Sequence, residues 1–235
     1  MKKIFTIAAG VTASVLALGA MAAVAGPIVY RGIAASPTTT RLPTVLPTVR
    51  SGAVDTDFDS MAELSGDWGV ADGSEAGYTV GAMLNGSAVS IVGSTQHVTG
   101  TATVKNSVLS AASVQVDVAS ISSDNANRDA YFRGPALDTD QFPTAVFSLT
   151  EPITLEEEIL DGAPLAVQAT GTLQLHGVTH DVEVPLTAVL SDGRLTLSGA
   201  VPVAFAEYGV QAPDLGFVTV DESGSIDFSL AVTQR

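Results

Sequence analysis

Ser120-Ile121-Ser122-Ser123-Asp124-Asn125-Ala126-Asn127-Arg128-Asp129-Ala130-Tyr131-Phe132-Arg133, with Asp138-Thr139-Asp140-Gln141-Phe142-Pro143-Thr144-Ala145-Val146-Phe147 close behind it, reads as one whole connection between two strands. It opens on a polar turn and continues as an Asn-x-x-Arg-Asp helix start at Asn125. Phe142-Pro143 then returns the chain to an extended path, because a residue before proline is pushed out of the helical region. The runs on either side alternate. Val114, Val116 and Val118 interleave with Gln115, Asp117 and Ala119 upstream, and an apolar strand begins at Pro143 downstream.

Working outward, the same period of two continues through Val184, Leu186, Ala188 and Leu190, through Leu195, Leu197, Gly199, Val201 and Val203, and through Ile226, Phe228, Leu230 and Val232. Strict alternation marks strands with one buried face. Leu84-Asn85-Gly86-Ser87, Lys105-Asn106-Ser107, Ser191-Asp192-Gly193-Arg194 and Glu222-Ser223-Gly224 carry hairpin-turn chemistry between them. The pattern predicts eight strands, over about 77–84, 88–104, 108–119, 143–155, 164–176, 178–190, 194–205 and 223–233. A short helix is expected near Asn125 to Arg133 and a partly helical insertion near Tyr208 to Leu215. An antiparallel sheet of this size has two edges to protect, and closure into a barrel removes both. Eight strands leave an interior that is filled by side chains or holds one small ligand. Aromatic residues make up only 6% of the chain, and the apolar faces are mainly Val, Leu and Ala, which predicts an underfilled lumen suited to an uncharged, greasy ligand.

The connection quoted above resembles the YceI-like family, and the likeness extends from Trp68 to about Val232. It takes in Trp68-Gly69-Val70 with Ser74 and Tyr78, the Ser-Asp-Asn-Ala-Asn-Arg-Asp stretch, and Phe142-Pro143 leading to Phe147. It continues in Ala169-Thr170-Gly171-Thr172-Leu173-Gln174-Leu175-His176-Gly177-Val178-Thr179-His180 and in Tyr208-Gly209-Val210. The resemblance implies an all-β, eight-stranded antiparallel, lipocalin-like barrel with short helical insertions and a long hydrophobic cavity, occupied in some members by a polyisoprenoid. It implies binding and not catalysis, and export to the bacterial envelope. At Ala204-Phe205-Ala206-Glu207 the chain departs from the family, many of whose members place an arginine there. A neutral isoprenoid is therefore favoured over a phosphate-bearing one.

The first 60 residues are of another kind. No charge lies between Ile4 and Tyr30, a stretch long enough to span a bilayer. Ala23-Val24-Ala25 offers a competing signal-cleavage site. Residues 36–50, with Leu-Pro-Thr-Val in tandem, favour extended backbone and read as a spacer. The expected organisation is an anchor or signal segment over 1–30, a Pro/Thr-rich linker over 31–61 and the barrel domain over 62–235. The expected location is the cell membrane, crossed once, with the C-terminal domain extracytoplasmic; cleavage near Ala25 would instead give a secreted protein.

Composition excludes several classes. Residues 61–235 carry five Lys or Arg against 22 Asp or Glu, a net of about −17 that repels nucleic acid. With no cysteine there is no disulfide framework, thiolate metal site or thiol nucleophile. Asp55, Asp57 and Asp59 open with the rhythm of a calcium loop, but Ser60 and Gly66 stand where its glycine and bidentate glutamate belong. His97, His176 and His180 form no metal-binding helix motif, and no nucleophile elbow, P-loop or dinucleotide fingerprint occurs. Asp138, Asp140, Glu207 and Asp214 are the raw material for an envelope hydrolase or isomerase, but carboxylates abound across the whole domain and solvated loops account for them better.

No catalytic residue, metal or cofactor is therefore assigned, apart from a bound isoprenoid. The cavity-wall candidates are Tyr78, Phe132, Phe142, Phe147, Leu149, Leu173, Leu175, Phe205, Phe217 and Phe228, about half of which are expected to plug the barrel ends or pack outside. Arg128 and Arg133 are candidate headgroup contacts, although a pair such as Arg128 and Asp129 more often ties a helix to a loop. The expected partners are an isoprenoid or similar lipid and a membrane held through residues 4–30, with a homo-oligomer left open. The competing function is a ligand-free acidic interaction module with a plugged lumen.

Overall fold

The computed structural model describes residues 58–214, 216 and 218–235. The membrane segment, residues 31–57 of the linker and Phe217 lie outside the described residues, while Phe58 and Met61, expected in the linker, pack against the barrel core. Among the described residues no helix is long and apolar enough to cross a membrane.

Eleven strands form one sheet: β1 (Gly66–Val70), β2 (Glu75–Leu84), β3 (Ser87–Thr95), β4 (Val98–Lys105), β5 (Val108–Asp117), β6 (Thr144–Leu149), β7 (Ile153–Thr154), β8 (Leu165–Leu175), β9 (Val178–Ser191), β10 (Arg194–Ala204) and β11 (Val218–Gln234). Eight of them, β1-β4-β5-β6-β8-β9-β10-β11, run antiparallel in a ring that the β1–β11 pairing closes. The eight-stranded barrel expected from the alternation is the observed fold.

The hairpins are local chemistry. Asn85-Gly86, Asn106-Ser107, His176-Gly177 and Asp192-Gly193 each place two consecutive residues at positive φ, the two-residue turn that matches strand twist. At Gly177 the requirement is double, since φ is +76° and a Cβ would come within 2.5 Å of the Phe142 ring.

Three expectations are corrected. The run 88–104 is two strands, because His97 N–H donates to Thr95 Oγ1 (3.0 Å) and Val98 N–H to the Gln96 carbonyl (2.9 Å), which turns the chain between β3 and β4. The run 143–155 also divides, leaving β7 as a two-residue strand on β5. Glu222-Ser223-Gly224 is not a hairpin turn but a bulge within β11, which pairs with β2 on both sides of it. In addition Gly66–Val70 is a strand of its own, and the helical turn expected beyond Tyr208 lies earlier, at Phe205–Tyr208.

One long strand organises both ends. The last residues of β11 pair with β1, and its earlier part pairs with β2. β2 and β3 therefore flare from the barrel wall, and among the described residues β3 has no strand partner beyond β2 except a single bridge from Ser94 to Ser122. The connection quoted at the outset lies beside this gap. Its helix, α1 (Ala126–Tyr131), is capped by Asn125, whose Oδ1 accepts from the N–H of Asn127 (3.0 Å) and Arg128 (3.2 Å). A π-helical turn, Phe132–Ala136, follows. Val118, Ile121 and Ala145 bury one face of the segment with Tyr78 and Phe132. At the opposite end Leu64, Trp68, Ile159, Leu190 and Val232 form the largest buried cluster, with Trp68 Nε1 donating to the Leu64 carbonyl (3.0 Å).

Candidate functional site

Inward side chains of the ring enclose a chamber of about 410 Å³ and leave a second, of about 190 Å³, toward the α1 end. Ala76, Val116, Ala145 and Ile226 line both. These are small or branched residues supplied by the alternation of four different strands, which is why the lumen stays open at this level. Among the described residues Glu156 is the one charged residue on the larger chamber's wall and Arg128 the one on the smaller. A wall of Val, Leu, Ala, Ile and Phe offers dispersion contacts and little else, so a molecule held there must be almost wholly apolar.

The expected wall residues divide between the chambers. Phe147, Leu149, Leu173 and Phe228 line the larger; Tyr78, Phe132, Leu175 and Phe205 line the smaller. Phe142 lines neither. Its ring packs edge-on to His176 at 5.1 Å and covers Gly177 at the tip of the β8–β9 hairpin, where only a glycine leaves room. The aromatic candidates cover a minority of the surface. Most of the larger chamber is built by Val and Leu positions such as Val114, Val116, Leu186 and Leu197, whose alternation was legible but which a search for large side chains passes over. Leu155 and, from the turn Glu157–Asp161, Ile159 add to the apolar wall, while Glu156, Glu157 and Glu158 are exposed.

Arg128 is already engaged. Its guanidinium pairs with the exposed Asp124 carboxylate and donates to Ser123 Oγ at 3.3 Å. Asp129, only 8% exposed, accepts from Ser123 N–H (2.9 Å) and Oγ–H (2.6 Å). The Arg-Asp pair thus ties α1 to the preceding loop. Arg133 donates to the Ile121 carbonyl at 3.4 Å and lines neither chamber. Burial pushes the Tyr78 phenol above its usual range; nearby Arg128 opposes that rise, and Asp129 and Asp124 add to it.

His176 Nδ1 and His180 Nε2 hydrogen-bond the carbonyls of Tyr208 (2.9 Å) and Glu207 (2.8 Å), which fastens the turn Phe205–Tyr208 over the β8–β9 hairpin. Among the described residues no group of His, Asp and Glu is placed to hold a metal ion. Asp138, Asp140, Glu207 and Asp214 line neither chamber.

The YceI-like domain matches residues 70–232 of this chain, from the end of β1 nearly to the end of β11. The chain belongs to the YceI-like family. Two solved structures have the same fold. A polyisoprenoid binding domain from Saccharophagus degradans, implicated in plant cell wall breakdown, aligns with a TM-score of 0.57 at 16% identity, over 72% of this chain and 98% of that one. BcnA of Burkholderia cenocepacia aligns with a TM-score of 0.52 at 20% identity, over 67% and 95%. No curated protein matches the chain. Within this YceI-like domain the motif residues fall at structural joints. Ser74 Oγ donates to the Ala71 carbonyl (2.7 Å) and accepts from Ala231 N–H (3.0 Å), and Gly209, at φ +68°, ends the Phe205–Tyr208 turn.

Proposed function

We propose that the barrel binds a long apolar lipid noncovalently, an isoprenoid or a comparable chain, with its tail in the larger chamber and its other end toward the smaller. The apolar lining of the 410 Å³ chamber carries this reading. Removing apolar ligand surface from water is worth roughly 25 cal/mol per Å², less the cost of ordering the ligand. The polyisoprenoid named for the Saccharophagus degradans domain supports the choice of ligand class. The missing arginine near Phe205 favours a neutral ligand. The role is binding or carriage, without a catalytic step.

The site of action in this reading is the cell envelope. Residues 4–30 hold the chain in the membrane and the barrel lies outside the cytoplasm; cleavage near Ala25 would release the same barrel as a secreted carrier. Native mass spectrometry of the full-length chain from its own host, followed by solvent extraction, tests the ligand. A stoichiometric apolar lipid is the expected result. A chain that is empty there and takes up no polyprenol when challenged would replace this reading with the acidic interaction module.

A further inference from the structure

Met83 and Leu84 are consecutive at the end of β2, so their side chains point to opposite faces of the β2–β3 hairpin, yet both are exposed, at 44% and 41%. Val89 on β3 is 37% exposed. These are three of the four large apolar side chains exposed among the described residues, and every residue from 83 to 90 is exposed. A hairpin laid on one protein surface needs a single apolar face. Apolar side chains on both faces of a tip suit immersion in an apolar medium.

The charge distribution points the same way. The chain carries −15 overall, but from Ala76 to Val104 no side chain is formally charged, His97 being neutral at pH 7. An acidic exterior is repelled by anionic lipid headgroups, and this hairpin adds no charge of its own to that repulsion, the nearby acidic group being the Asp221 carboxylate of β11 that lies over Gly81. Its inner face is also continuous with the lumen. Leu84 pairs with Ser87, Ala82 with Val89 and Val80 with Ile91, so these side chains share one face. Val80 and Ile91, with Val220 of β11 alongside, are wall residues of the smaller chamber.

We propose that the tip of the β2–β3 hairpin docks in the headgroup layer of a lipid bilayer and turns the smaller chamber toward it. The outer edge of β3 sets the depth. Among the described residues it is bridged only at Ser94, and its free N–H and C=O groups would be costly in hydrocarbon, so the hairpin stays where water still reaches it. Passage of cargo along the Leu84–Val80 face rests on the lipid-binding reading given above; docking itself does not.

The chain has no cysteine, so one introduced thiol carries a fluorophore at a chosen place. Met83→Cys reports on the tip, and Asn106→Cys, in the β4–β5 turn at the opposite end of the barrel, is the control. Full-length protein is reconstituted in phosphatidylcholine vesicles whose acyl chains bear nitroxides. The expected result is several-fold stronger quenching at Met83→Cys than at Asn106→Cys, lost when Leu84→Asp and Val89→Asp are added in protein that still gives the native circular dichroism spectrum. Equal quenching at the two positions overturns the proposal. So does label self-quenching at Met83→Cys with no lipid effect, which would assign the hairpin to a second copy of the chain. Strong lipid quenching of a protein whose chambers are empty by native mass spectrometry supports docking while removing the lipid-binding reading; a loaded protein without quenching does the reverse.

Discussion

The Tyr78 ring lies on Gly93, its directly paired neighbour across β2 and β3, so closely that a Cβ at position 93 would come within 2.6 Å of Tyr78 Cε1. The ring's other neighbour is Phe132, stacked at 4.8 Å between centroids and 14° between planes. Gly93, Tyr78 and Phe132 therefore clamp the π-helical turn onto the flared hairpin where β3 has no further strand partner. Gly93→Val is expected to displace the tyrosine and cost about 1–3 kcal/mol, as overpacking does. Phe132→Ala is expected to cost a similar ~2 kcal/mol, less than a fully buried phenylalanine would. Urea unfolding of each variant, and of the pair together, checks both values and their non-additivity.

Asp129 and Arg128 are adjacent but unequal. Asp129→Ala removes a buried carboxylate that accepts from both the N–H and the hydroxyl of Ser123, with an expected loss of about 1–3 kcal/mol. Arg128→Ala removes an ion pair to an exposed carboxylate and is expected to cost under ~1 kcal/mol. A double-mutant cycle of Asp129→Ala with Ser123→Ala should recover the hydroxyl's share of the larger figure as coupling, since the Ser123 N–H survives the second substitution.

The half-buried Tyr78 phenol gives an alkaline signature. Its folded-state pKa is raised above the unfolded value of about 10, so the folded chain holds the proton more tightly. Its contribution is fully present below that value and is lost as pH rises from there through the folded pKa. Tyr78→Phe should be nearly neutral at pH 7 and should shallow the fall in stability above pH ~10. Tyr208, raised by burial and by Glu207, keeps its own share in that variant. Thermal melts across the alkaline range make the comparison.

Ala145 stands where both chambers share a wall. Ala145→Phe is expected to fill that level of the lumen at about 1–3 kcal/mol of overpacking and to shift any bound chain to shorter lengths. Extraction and mass analysis of the ligand from both proteins reads this directly. Unchanged ligand length in a folded variant would mean that the ligand occupies one chamber only.

What could be read from the chain before its fold was known follows how local each feature is. The turns at Asn85-Gly86 and Asp192-Gly193 are decided by residues that tolerate positive φ, so two letters suffice. The break between β3 and β4 is made by the Thr95 hydroxyl, which also meets Ser120 Oγ at 2.6 Å, and that encounter depends on the fold. Glu222-Ser223-Gly224 has the composition of a turn and becomes a bulge because β2 resumes pairing at Val80, opposite Gly224. The site is legible in the same measure. Phe147 and Phe228 belong to alternating runs and face the lumen, whereas Phe142 follows the connection and is drawn to the space over Gly177. The importance of Ala76 and Ala145 lies in their smallness at a shared wall, a property that has meaning only once the strands are arranged around it.

β11 meets β1 and β2 at the cost of a loop that takes in nearly the whole barrel, for Trp68 pairs with Gln234 and Glu75 with Ser229. Sheets sealed by such distant partners fold slowly, because the chain entropy of closure is spent before the contacts form. During synthesis the first two strands must wait for the last, so no partial barrel can complete itself ahead of that moment. Until then the greasy inner faces are uncovered, so the interval between the emergence of β2 and the emergence of β11 is the one in which the chain is most prone to aggregate.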